Sequence, residues 1–361
     1  MRKIRVYTGN YGSEKYWLKY LVHPVRAFWG DGTKDWPKWE DDFHFYKKYF
    51  ILVDTPEKSD VGFLPLTLNY YVNNRKLKLV NEMADLMEEN DKALYVWIDG
   101  DHKINYFHSN CIFIKYFSDQ TTKGKNELIQ PGDLKTDLLA KYFEGQFQPR
   151  DKSNLPVIGF DGIAKYPKYK LVGTIAKNAL QHLSFKLMIR QTSPDPIIPF
   201  LLKRKKLLDQ FNQPNKLKTN FTIRDSFAPG TIGRNDQARE EFINNIIGSD
   251  YTFCFRGAAN YSLRFYETLC LGRIPLFINT NSVLPFENKI EWKNIVLWID
   301  ENETDYMVEK ILDFHQSLTN NQFIEKQKYC REIWKTYLSK EGFIKHFNDS
   351  IKQSILSGVP V

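Results

Sequence analysis

Residues 249–275, SDYTFCFRGAANYSLRFYETLCLGRIP, gather side chains suited to holding a diphosphate. Arg256 follows an apolar run, and Arg264 falls in the first turn of a helix that Ser262 would start. A cation there opposes the helix dipole, so its presence calls for an anion. Glu267 lies three residues on, on the same helical face, and a carboxylate can accept two hydrogen bonds from ribose hydroxyls. On spacing alone, an intrahelical Arg264–Glu267 ion pair worth roughly 0.2–0.5 kcal/mol explains the same pattern.

A second set could move protons. Asp99, Gly100, Asp101 and His102 follow the apolar run 94–98, where carboxylates and an imidazole would stand at a cleft edge. Asp161, after the run 157–160, is a further candidate base. The rival reading of 99–102 is a polar strand-to-loop turn with solvated side chains.

Strands and helices must bring these residues together. Short apolar runs alternate with helical patterns, which predicts α/β layers on mainly parallel sheets. In the first half, strands are expected at Ile4–Tyr7 and at 61–64, 94–98 and 111–117. Leu79, Val80, Met83, Leu86 and Met87 recur at helical spacing and predict a crossover helix. A Pro-containing polar patch at 148–156 reads as a linker. Beyond it, strands are expected at 157–160, 221–223, 251–255, 274–278 and 295–299. Helices are expected at 237–247, 262–271, 304–318 and 321–338, and residues 191–199, with three prolines, read as a loop.

The simplest architecture is two Rossmann-like domains, 1–152 and 153–361, facing a central cleft, with the last helix free to pack back on the first. Ligands of such sheets gather at the carboxyl ends of strands. Ser262 is a good N-cap, whose hydroxyl would accept from first-turn amides. Gly272 suits the left-handed residue just past the helix end. The loop 256–261, with Gly257 in it, then sets a helix N-terminus at a strand's carboxyl edge, where a diphosphate is stabilised.

Composition limits the partners. The 361 residues carry a formal charge of +8 with pI near 9.0, which favours an anionic partner. No arginine-rich arm or nucleic-acid motif is present, so nucleic acid is not the expected one. Lys203-Arg204-Lys205-Lys206 reads as a solvated helix face that could also meet an acidic glycan or anionic lipid. The aromatics of 17–29 and 46–50 read as core rather than sugar-stacking platforms. Cys111, Cys254, Cys270 and Cys330 are far apart and read as reduced, buried thiols, and the scattered histidines show no ligand spacing. The N-terminus enters a strand directly, and no stretch is apolar for the length of a membrane span. A cytoplasmic chain, or a soluble fragment of an anchored one, is expected, with at most weak membrane-surface association.

The stretch from Ser249 to Trp292 resembles the C-terminal signature of exostosin-like glycosyltransferases. Its parts are Arg256-Gly257, Ser262-Leu263-Arg264-Phe265-Tyr266-Glu267, Gly272-Arg273-Ile274-Pro275, and Val283-Leu284-Pro285-Phe286-Glu287 with Trp292. Ser-Leu-Arg stands where the family often has Ser-Pro-Arg, and Gly-Arg-Ile-Pro where Gly-Cys-Ile-Pro is common. Residues 54–65, Asp-Thr-Pro-Glu-Lys-Ser-Asp-Val-Gly-Phe-Leu-Pro, resemble an N-terminal segment of the same family.

The resemblance implies a GT-B fold and inverting transfer of a hexosyl or pentosyl group from a nucleotide sugar, usually a UDP-sugar. The acceptor would be a glycan hydroxyl, in polysaccharide or glycan synthesis. Glu267 would hold the ribose, and Arg264 and Arg256 would lie near the diphosphate, with Gly257 and Ser262 completing the site. The base would generally come from the N-terminal domain, where Asp99, Asp101 and His102 are candidates, and Asp161 of the second domain is another. Asp99-Gly-Asp101 also resembles the D-x-D of metal-dependent GT-A enzymes. The C-terminal block makes a second nucleotide site redundant, so transfer without metal or other cofactor is expected. Two alternatives stand: a GDP-fucose-using α1,3-fucosyltransferase-like enzyme, and a non-catalytic glycan- or nucleotide-binding module on the same scaffold.

Overall fold

The computed structural model describes residues 2–9, 20–29, 39–132, 136–225 and 236–357. Six parallel strands form one sheet in the order β2-β1-β3-β4-β5-β6. They are β1 (Ile4–Tyr7), β2 (Phe50–Val53), β3 (Val61–Phe63), β4 (Leu94–Trp97), β5 (Cys111–Lys115) and β6 (Glu127–Ile129). Five parallel strands form the other in the order β11-β10-β9-β7-β8. These are β7 (Val157–Ile163), β8 (Lys218–Arg224), β9 (Tyr251–Cys254), β10 (Ile274–Asn279) and β11 (Leu297–Asp300). The chain thus forms two α/β units, each built on a parallel sheet, as the alternation of apolar runs and helical patterns predicts.

The helices of the first part are α1 (His23–Trp29), α2 (Trp39–Tyr46), α3 (Leu68–Asn73), α4 (Leu77–Glu88) and α5 (Leu138–Phe143). Then come α6 (Leu171–Lys186), α7 (Phe200–Asp209), α8 (Asp236–Ile247) and α9 (Leu263–Cys270). Last are α10 (Trp292–Ile295), α11 (Met307–Ser317), α12 (Asn320–Ile333) and α13 (Lys340–Ser357). Among the described residues no helix is long and apolar enough to cross a membrane.

Every residue of β4 and β9 is buried, as parallel strands covered on both faces must be. The region 46–50 divides between the end of α2 and the start of β2, with Tyr46 and Phe50 both buried in the core. Trp17 lies outside the described residues. The long helix expected over 321–338 is α12 followed by a π turn at Trp334–Leu338. All four cysteines are free and buried, and burial pushes each thiol up to about 12.

Two hydrophobic cores form, one around each sheet. Leu138 and Leu139 of α5 belong to the second core, and Phe343, Ile344, Phe347 and Ile351 of α13 to the first. The Phe347 ring lies 6.2, 5.5 and 5.9 Å from those of Phe63, Tyr95 and Trp97. Phe347→Ala would open a cavity there and should cost about 3–5 kcal/mol, read as a lowered urea midpoint.

The two units also meet along 118–120 and 281–287. Gln120 N donates to Asn281 O (2.8 Å) and Val283 N to Ser118 O (3.0 Å). The Glu287 carboxylate accepts from Leu284 N (2.9 Å) and from Gln120 Nε2 (2.9 and 3.0 Å). Trp292 Nε1 donates to Pro285 O at 2.9 Å. The segment 283–292 is therefore a joint between units.

Candidate active site

A cavity of about 680 Å³ opens where β7 and β9 end, and Asp101 of the first unit shares its lining with residues of the second. Its floor follows from α9. Ser262, at φ −135° and ψ 116°, stands in the extended conformation of an N-cap, so the amides of Leu263 and Arg264 have no partner within the helix, and all three residues line the cavity. Its hydroxyl makes no capping bond, contrary to expectation, and the residue lines the cavity. Gly272 turns past the helix end at φ +62°, as its position predicts, and a Cβ there would lie 2.4 Å from the Phe147 ring.

Arg264 reaches inward beneath β7. Its Nη2 donates to Asp161 O at 2.5 Å, and its guanidinium lies 4.5 Å from the centre of the Phe160 ring. Gly162 leaves room for it, since a Cβ there would come within 2.9 Å of Nη2. Arg204 of α7 approaches the same ring at 5.8 Å and that of Phe200 at 4.9 Å. Its Nη1 donates to Ile163 O and its Nη2 to Arg256 O, each at 2.9 Å. Both arginines line the cavity, and the Nε of each is buried without a hydrogen-bond partner. Burial, and then the charge of Arg264, pull Arg204 down to about 9, which still leaves it charged at neutral pH. Burial also lowers Arg264.

The basic run 203–206 is thus not a uniformly solvated face. Arg204 is 8% exposed, while Lys203 pairs with Glu301 and Lys205 with Asp209. The signal was its spacing: Phe200, Arg204, Leu207, Leu208 and Phe211 share one helical stripe, which turns inward.

The Arg264–Glu267 ion pair does not form. Glu267 Oε1 pairs instead with Arg239 Nη1 of α8 at 2.6 Å, both side chains 11% exposed, and Glu267 lines the cavity. Glu267→Ala breaks this largely buried pair and should cost on the order of 3 kcal/mol, read as a lowered urea midpoint. Joint replacement, Arg239→Met with Glu267→Leu, should recover most of the loss in the same urea titration.

Arg256 does not reach the cavity lining. Its guanidinium folds over its own loop, donating to Ala258 O (3.1 Å) and Gly257 O (3.4 Å), because a partly buried cation takes the nearest carbonyls. Gly257 does line the cavity, with nothing within 4 Å of where a Cβ would stand.

Of the proton-transfer candidates, Asp161 is buried at 3% exposure with both oxygens engaged by Arg224, at 2.5 and 2.6 Å. Arg224 also pairs with Glu241 at 3.0 Å. That fork occupies both carboxylate oxygens and argues against a base there. Asp99 and His102 do not line the cavity. The main chain of Asp99 is clasped by the Asn69 amide through two 2.8 Å bonds. Asp101 is exposed and lines the cavity beside Tyr261, whose phenol is raised by burial and then by the Asp101 carboxylate. The Tyr261 ring stacks on those of Tyr116 and Phe117 of the first unit.

Among the described residues, His108, Asp85 and Glu88 bring potential metal ligands together, on the surface outside the cavity. The Asp99-Gly-Asp101 pair forms no such group.

The site is therefore a cleft between two parallel-sheet units, rich in arginine at the start of a helix. Residues 2–313 match the Exostosin GT47 domain, and the chain belongs to the exostosin GT47 family of glycosyltransferases. Exostosin-1 of Drosophila melanogaster is 33% identical over 88 residues, which are 24% of this chain and 11% of that protein. The chain thus matches about a tenth of that relative's length. Among solved structures, a glycosyltransferase from Rickettsia africae is similar with TM-score 0.36 and 12% identity, over 99% of each chain. TarM is similar with TM-score 0.35 and 11% identity, over 83% of this chain and 54% of its own.

Proposed function

We propose that the chain binds a UDP-sugar in the cavity between its units and transfers the sugar, with inversion, to a hydroxyl of a glycan acceptor. One observation carries this reading. Arg204 and Arg264 line the cavity side by side, donate to main-chain carbonyls, and have no carboxylate partner among the described residues. Two adjacent desolvated cations are costly, and a diphosphate would relieve both. The amides at the start of α9 would add to its hold. The Arg239 contact uses Glu267 Oε1, so Oε2 would accept from a ribose hydroxyl.

Asp101 is the base in this scheme. It removes the acceptor proton as the hydroxyl oxygen attacks the anomeric carbon, opposite the diphosphate. The bond from that carbon to the diphosphate breaks, and its electron pair leaves with the diphosphate, whose charge the arginines stabilise. The arginines and the helix supply positive charge, so activity should persist in excess EDTA. Complete loss, restored by Mn²⁺, would overturn the metal-independent scheme.

A panel of nucleotide sugars, with released nucleotide identified by mass spectrometry, tests the donor. Acceptor-dependent release of UDP supports the proposal. Release of GDP alone would point to the fucosyltransferase-like reaction. Binding of acceptor without any nucleotide would make the chain a non-catalytic module.

A further inference from the structure

The surface of α6 carries a feature that the donor site does not use. Tyr169, Val172, Ala176, Leu180, Leu183 and Leu187 recur three or four residues apart, and all are exposed. Val172 is 80% exposed, Leu180 68%, Leu183 55% and Leu187 60%. Met188 and Ile189 extend the patch at 62% and 75%. The opposite face holds buried Asn178, whose Nδ2 donates to Pro196 O at 2.8 Å. This helix therefore turns its apolar stripe outward, the reverse of an ordinary surface helix.

Charge borders the stripe. Lys168, Lys170, Lys177 and Lys186 are exposed around it, and no Asp or Glu occurs between Lys165 and Arg190. In helical projection Lys170 and Lys177 fall on one shoulder of the stripe, Lys168 and Lys186 on the other. Apolar side chains flanked by lysines suit a helix lying in the plane of an anionic bilayer. The leucines would enter the acyl boundary while the ammonium groups meet lipid phosphates. A second copy of this chain fits less well, because each face would bring its own lysines and no acid to answer them.

We propose that α6 docks this protein on the surface of an anionic membrane. Thr174 and Asn178 of the same helix line the cavity, so docking would hold the cavity close to the lipid surface. The proposal does not depend on the identity of the donor.

The test is sedimentation of the full chain with vesicles of phosphatidylcholine and phosphatidylglycerol in equal parts, against phosphatidylcholine alone. Binding should favour the anionic vesicles and fall with added salt. Leu180→Glu with Leu183→Glu should lower partitioning at least about tenfold, with melting temperature and nucleotide release unchanged. Lys177→Glu with Lys186→Glu should weaken it too. Failure of the parent to bind anionic vesicles, or equal binding by the leucine variant, would overturn the proposal. So would a parent dimer in light scattering that the leucine variant dissolves without any vesicle binding, since a second copy would then cover the face.

Discussion

Arg204→Met combined with Arg264→Met should weaken UDP binding by about a hundredfold to ten-thousandfold, measured by calorimetric titration. Hydrogen bonds to charged groups contribute about 1.5–3 kcal/mol each, and every 1.4 kcal/mol is tenfold. The fold should be far less affected. Methionine retains bulk beside Phe160 and removes two desolvated cations, which offsets the loss of donors to the carbonyls of Asp161, Ile163 and Arg256. Arg224→Met is the contrasting control. It strands Asp161, whose side chain is 2% exposed, and should cost about 3–5 kcal/mol of stability. An affinity loss confined to the Arg224 variant would assign the anion-binding role to the wrong arginines.

Asp101→Asn should lower kcat by about a hundredfold to ten-thousandfold, the usual contribution of a positioned base, with UDP affinity unchanged. The amide keeps the shape of the side chain beside Tyr261 and removes its capacity to take a proton. Asp99→Asn and His102→Ala should have small effects, because neither side chain lines the cavity. Initial rates at saturating donor, with acceptor varied, separate the outcomes. A large kcat loss in the His102 variant with a near-parental Asp101 variant would move the base assignment.

Most strands of both sheets were readable, the clearest because buried parallel strands are unbroken apolar runs, as in residues 94–98 and 251–255. β2 was hidden, since its Phe50-Ile-Leu-Val follows aromatic α2 with only a short turn between. β6 was hidden for a different reason: three residues at a sheet edge carry no period. At the site, the chain-local features were legible, with α9, Gly272 and Arg264 set by one continuous stretch. What tertiary packing decides was not. Arg264 turns to a carbonyl of β7, Glu267 to an arginine of α8, and Arg256 back on its own loop.

Arg204 and Arg239 share a lesson. Each interrupts an apolar helical stripe, Arg204 among Phe200, Leu207 and Leu208, and Arg239 among Phe242, Ile243 and Ile246. An arginine in that register faces inward and needs a partner. Counting positive charges along 203–206 concealed this, whereas reading the helical face reveals it.

Diffraction from crystals soaked in UDP tests the central claim most directly. The diphosphate should lie within hydrogen-bond distance of Arg204 and Arg264 at the start of α9, with a ribose hydroxyl on Glu267. A nucleotide bound with its phosphates away from both guanidinium groups would contradict the account.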